Sequence, residues 1–164
     1  MTKAGVIFTK DNEYYTPKSF VEQFGKFDYD PATTKEKAAE FGVENYDTIE
    51  TDGLKADWTK YRRIWINPPF TIKHEFLKKA VETFNQTKAD IYILFPIEFI
   101  TTKRFHDILG PRGGGGVIYV PNGRIKFESG LGKKASSPAF GSCVMKLADT
   151  STIIIERIKL KDEK

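Results

Sequence analysis

The chain has 164 residues, 26 lysines and arginines against 22 aspartates and glutamates, 13 phenylalanines, 7 tyrosines and a single cysteine. That is the length of one domain, too aromatic for a disordered chain, and Cys143 alone excludes a disulfide scaffold. The longest apolar run, Ile91 to Ile100, includes Glu98 and is too short to span a bilayer, and Met1 to Lys10 lacks a signal peptide's apolar stretch, so a soluble intracellular protein is expected.

The charge is uneven. Residues 1–82 carry 13 basic and 14 acidic side chains, residues 83–164 carry 13 and 8. Between Lys103 and Lys146 the basic residues face only Asp107 and Glu128. Such a block suits either a solvated surface or a nucleic-acid backbone held through its phosphates.

In chain order, Thr16-Pro17 reads as a cap and first helical residue, with Phe20, Val21 and Phe24 on one face and Gly25 as a stop. Phe27–Asp30 alternates as a short strand ending at Pro31. Thr33-x-x-Glu36 has capping-box form and opens a helix to Phe41, closed by Gly42. Tyr46–Glu50 is a second short strand, and Arg63–Asn67 a third that runs into Pro68-Pro69. Thr71 can cap a helix whose stripe is Phe76, Leu77, Ala80, Val81 and Phe84. Asp90–Phe95 does not alternate and reads as a strand buried on both faces. A helix over Lys103–Leu109, ended by Gly110, precedes strands at Val117–Val120, Phe140–Leu147 and Thr152–Leu160, the last two joined as a hairpin. The pattern predicts a single α/β domain over 1–164, with a mostly parallel sheet, helices on both faces and a C-terminal antiparallel hairpin.

The chemistry is concentrated in Asn67-Pro68-Pro69-Phe70. Two prolines remove two backbone donors and fix two φ angles, so the carbonyls of Asn67 and Pro68 project without internal partners beside the Asn67 side-chain oxygen. A rigid set of acceptors suits an exocyclic amine, and Phe70 offers its ring a flat apolar face. The bland alternative is a strand-to-helix turn with Phe70 in the core. Asp30-Pro31-Ala32 ends a strand where open α/β sheets hold cofactors, although Asp30 reads equally as a turn residue. Asp52-Gly53-Leu54 lies 22 positions later, near the offset at which an acid reaches a ribose or adenine, and is equally a plain turn.

Several elements together resemble the phage-type DNA adenine-N6 methyltransferases. In order they are Tyr14-Tyr15-Thr16-Pro17, Asp28-Tyr29-Asp30-Pro31-Ala32, Thr51-Asp52-Gly53-Leu54 with Trp58, Asn67-Pro68-Pro69-Phe70, Pro121–Phe127 and Pro138–Ser142, so the likeness covers roughly residues 14–147. It implies a Rossmann-like, S-adenosylmethionine-dependent domain acting on adenine N6 in double-stranded DNA. Asn67 and Pro68, stiffened by Pro69, would accept from the adenine amine, and Phe70 would stack on the flipped base. Tyr15, Thr16, Pro17, Asp30, Pro31, Ala32, Asp52 and Leu54 would line the cofactor pocket. Arg124 and Lys126 would meet phosphates, as would Lys133 and Lys134. A phage or prophage source, hence bacterial cytoplasm, follows from the same likeness. Two departures stand out: Phe70 replaces the commoner tyrosine, and Ala32-Thr33-Thr34 replaces the glycine-rich turn of larger methyltransferases.

Other motifs carry less. Gly113–Gly116 and Gly130–Lys134 fail phosphate-loop spacing and read as mobile loops. His74 and His106 lack metal-ligand spacing, so no metal site is expected. Cys143 reads as an inert core thiol, and Glu98 has no assigned role. Methylation of RNA or of a protein amide, and a non-catalytic nucleic-acid-binding module, are the competing readings.

Overall fold

The structure, a computed structural model, describes residues 14–110, 114–126, 128–129 and 141–160. Among these lie nine strands: β1 (Tyr14–Tyr15), β2 (Tyr29–Asp30), β3 (Asn45–Tyr46), β4 (Arg63–Ile66), β5 (Asp90–Pro96), β6 (Gly115–Pro121), β7 (Glu128–Ser129), β8 (Ser142–Ala148) and β9 (Ile153–Ile158). β1 and β7 form a small antiparallel pair. The other seven form one sheet in the order β3-β2-β4-β5-β8-β6-β9. β3, β2, β4 and β5 are mutually parallel, β8 runs antiparallel to both β5 and β6, and β6 and β9 are parallel. The protein is therefore α/β with a mostly parallel sheet, in which only β8 runs against the rest.

Side-chain alternation sorts the core into two layers. Ile64, Ile66, Ile91, Ile93, Phe95, Cys143 and Met145 face one side and are covered by α3 (Lys73–Thr87) and α4 (Lys103–Leu109). Trp65, Tyr92, Leu94 and Val144 face the other, under α1 (Lys18–Val21) and α2 (Lys35–Phe41). Helices thus lie on both faces. The stripe of α3 is buried from Phe76 to Phe84, and β5 is buried on both sides because both are covered. Arg63 ties the sheet's opposite end to the α1 layer: its guanidinium donates to the Phe24 and Lys26 carbonyls and lies 4.7 Å from the Phe27 ring centroid.

Several local expectations are corrected. The last two strands are not a hairpin, because β6 lies between them. Glycine makes the gap: a Cβ on Gly115 would stand 2.2 Å from the Thr152 carbonyl oxygen, and one on Gly116 2.1 Å from that of Lys146. Gly115 and Gly116, expected in a mobile loop, are instead buried at the start of β6, and Gly113 lies outside the described residues. The α2 cap is Thr34 rather than Thr33, its hydroxyl accepting from Lys37 N at 3.1 Å. Thr71 caps nothing; it sits in a 3-10 turn, Phe70–Ile72, that leads into α3. Thr16 does not cap α1 either, whose N-cap position is Pro17.

If β6 is wedged between β8 and β9, Gly116→Ala should lower stability by about 2–3 kcal/mol in urea unfolding, the cost of overpacking against fixed backbone. A hairpin with β6 elsewhere would tolerate the change.

Candidate active site

From β2 the chain moves outward to β3, then returns past β2 to β4, so the strand order reverses between β2 and β4. In open parallel sheets that reversal leaves a crevice at the carboxyl ends of the two strands, where ligands bind. Asp30 ends β2 and Asn67 follows the last residue of β4, so two sequence-singled segments converge on this crevice.

β4 stops at Ile66 because the prolines that follow have no N–H for a ladder. Asn67 is half-buried, and its Nδ2 donates to Thr16 Oγ1 across 2.8 Å; Thr16 itself is only 2% exposed. The bond fixes which edge of the amide is nitrogen and turns Oδ1 the other way. Pro68 is buried, and among the described residues no hydrogen bond reaches its carbonyl. The next two carbonyls are engaged: Ile72 N donates to Pro69 O, and Lys73 Nζ to Phe70 O at 3.0 Å. Phe70 is half-buried and packs against the α1 layer. Thr16 thus acts through Asn67, a link that no spacing in the sequence announces.

Asp30 is buried, and the one hydrogen bond its carboxylate accepts among the described residues comes from Ala32 N, 2.9 Å from Oδ1. Burial pushes its carboxyl up to about 7, against a small opposing effect of that N–H. Pro31, also buried, lies against Gly53, where a Cβ would come within 1.9 Å of the Pro31 carbonyl oxygen. Gly53 therefore permits close backbone approach, to Pro31 itself, and brings Asp52 and Leu54 beside the Asp30 segment. Asp52 has φ 61 and accepts from Leu54 N. Trp58 Nε1 donates to the Gly53 carbonyl, and Lys79 Nζ of α3 donates to that of Leu54, docking this turn onto the helix.

One acid at this sheet end was not singled out by the sequence. Asp47 directly follows β3; its N–H donates to the Asp30 carbonyl and its Oδ2 accepts from Tyr29 OH. Its position just past a strand was the available clue, but the strand was expected to continue to Glu50. Tyr29 is stacked on Tyr61 with ring centroids 4.2 Å apart.

Tyr15 lies in β1, opposite Glu128, which brings the Tyr15–Pro17 element beside the segment that follows Arg124 and Lys126. Arg124 and Lys126 are exposed. Lys133 and Lys134 lie outside the described residues. Cys143 is buried and its thiol is pushed up to about 12, while no group of residues able to hold a metal occurs among those described. His106 Nε2 lies 3.1 Å from the Ile100 carbonyl oxygen. No helix among the described residues is long and apolar enough to cross a membrane.

A family model described as DNA N-6-adenine-methyltransferase (Dam) matches residues 9–162, and the chain belongs to that family. A DNA N-6-adenine-methyltransferase of Escherichia phage T1 is 33% identical over 76 residues, which are 46% of this chain and 30% of the phage protein. The match therefore spans under a third of that relative's length. No solved structure matches the chain.

Asp30 supplies a test of its burial. The unfolded carboxyl ionises near 3.8 and the folded one near 7, so the folded state holds an extra proton between those values. Stability should fall as pH rises from about 4 to 7 and then level off, a loss of the order of 4 kcal/mol at 1.36 kcal/mol per unit. Asp30→Asn should flatten this fall in denaturant titrations at successive pH values.

Proposed function

We propose that the chain transfers a methyl group from S-adenosylmethionine to the N6 amine of adenine in double-stranded DNA, as a single Rossmann-like domain acting on a flipped base. The Thr16–Asn67 hydrogen bond at the reversal point of the sheet carries this reading, because it aims one fixed amide oxygen from the strand end where such sheets take ligands. Family membership supports the reading of the activity.

Fit to the cofactor is judged on Asp30. A buried carboxylate with one N–H partner suits a ligand bearing positive charge, as this cofactor does on its ammonium and sulfonium groups. Asp30, Pro31 and Ala32 would hold it, with Tyr15, Thr16 and Pro17 on one side and Asp52 and Leu54 on another. Bound there, S-adenosylmethionine supplies an electrophilic methyl group.

The chain's own task is to make the amine nucleophilic. The N6 lone pair is delocalised into the adenine ring. Asn67 and the Pro68 carbonyl accept its hydrogens, favour a pyramidal nitrogen and stabilise the positive charge that develops on it. Pro69 keeps the carbonyls rigid, and Phe70 stacks on the base. Thr16 positions Asn67. Arg124, Lys126, Lys133 and Lys134 offer charge to the duplex, and the setting is a bacterial host's cytoplasm.

DNA incubated with the protein and a labelled methyl donor, then hydrolysed to nucleosides, should carry label in N6-methyladenine. Label appearing only in RNA or in protein amides would overturn the assignment. Asn67→Ala should cost about 100-fold or more in kcat, the scale seen when one such stabilising group is removed, with cofactor affinity by calorimetry nearly unchanged. Thr16→Val keeps the side chain's shape but frees the amide to rotate; its kcat should drop roughly tenfold, one hydrogen bond's worth, with KM for the cofactor held.

A further inference from the structure

We propose that Lys73, His74 and Arg104 form a clamp for the DNA phosphates flanking the flipped adenine. This rests on the reading of Asn67–Phe70 as the base-holding turn. The two phosphates of a flipped nucleotide are one sugar away from its base, so they fall within side-chain reach of whatever grips the ring. Lys73 is the first residue of α3, and its ammonium is anchored 3.0 Å from the Phe70 carbonyl oxygen and 4.8 Å from the Phe99 ring centroid. His74 is next on the same turn. Arg104, in the first turn of α4, lines the groove against α3 and lies close enough for its charge to act on both.

Lys73 and Arg104 are imperfectly neutralised, with the His74 imidazole beside them. Burial chiefly lowers the proton affinity of Lys73 and of His74, and Arg104 is the next cause for each, acting more strongly than Glu98 does on Lys73 or Glu75 on His74. Cations from two helices are thus held together against their mutual repulsion, beside the turn that would hold the base. A phosphate between them would relieve that repulsion. The cluster also continues into a groove of about 700 Å³ between α3 and α4, floored by Val81 and Ile108 and edged by Lys78, Lys103 and Arg104, with Glu82 and Asp107 farther along. Lys103 is already paired with Asp107 at 2.7 Å, whereas neither Lys78 nor Arg104 makes an ion pair among the described residues. Arg104 is therefore the cation best able to turn toward a phosphate.

The full-length chain tests this through the salt dependence of DNA binding. Arg104→Gln should weaken DNA binding about tenfold near 0.1 M salt and reduce the slope of log K against log salt by about one, as loss of one phosphate contact does. Lys73→Gln should act similarly. Cofactor affinity by calorimetry should stay within about threefold for Arg104→Gln, since the loss is expected in DNA binding. Lys88→Gln, at the far end of α3 beside Asp149, should leave the slope unchanged. An unchanged slope and affinity in Arg104→Gln overturns the clamp. Absence of N6-methyladenine from DNA treated with the unaltered protein overturns the underlying reading, so the two failures are told apart.

Discussion

The architecture of the crevice depends on a chain that cannot continue as a strand. β4 lies inside the sheet, paired on both edges, and Pro68-Pro69 ends it without an N–H to offer either neighbour. The chain must leave the sheet at the point where β2 also ends. Asn67 is then neither ladder nor helix, and a hydroxyl from the chain's first described segment determines how its amide is turned. Rigidity comes from the prolines and direction from Thr16.

Around that point the protein keeps polar groups in places that cost stability. The Asp30 carboxylate is buried with a single N–H partner among the described residues, and Lys73, His74 and Arg104 are gathered within reach of one another. Neither arrangement helps the free protein fold. A bound cation would stabilise the first and a bound anion the second.

Much of this was legible in the residues themselves. Proline pairs, periodic stripes and glycine stops act locally, so the α3 stripe, the buried β5 and the helix Lys103–Leu109 were readable in place. The convergence of Asp30, Gly53 and Asn67 was anticipated only as a set of candidates; the contact of Gly53 with Pro31 joins two of them. What escaped was decided by distant partners. Thr16 looked like a cap because a hydroxyl before proline usually is one, yet its acceptor serves a residue 51 positions away. Asp47 was absorbed into a strand expected to run to Glu50, and the last two strands looked like a hairpin because their separation is short. Strand neighbours are chosen by which edges can approach, and here the glycines of β6 admitted it between them.

That interleaving has a bearing on synthesis. Both strands that flank β8 precede it in the chain, so β5 and β6 share no edge until Ser142–Ala148 has been made. A nascent chain emerging from the ribosome carries Asp30 and Asn67 early but exposes the unpaired apolar edges of β5 and β6 until that late strand slots in. Its assembly is governed by contacts of long sequence separation, and a chain halted before residue 142 would leave those apolar edges uncovered.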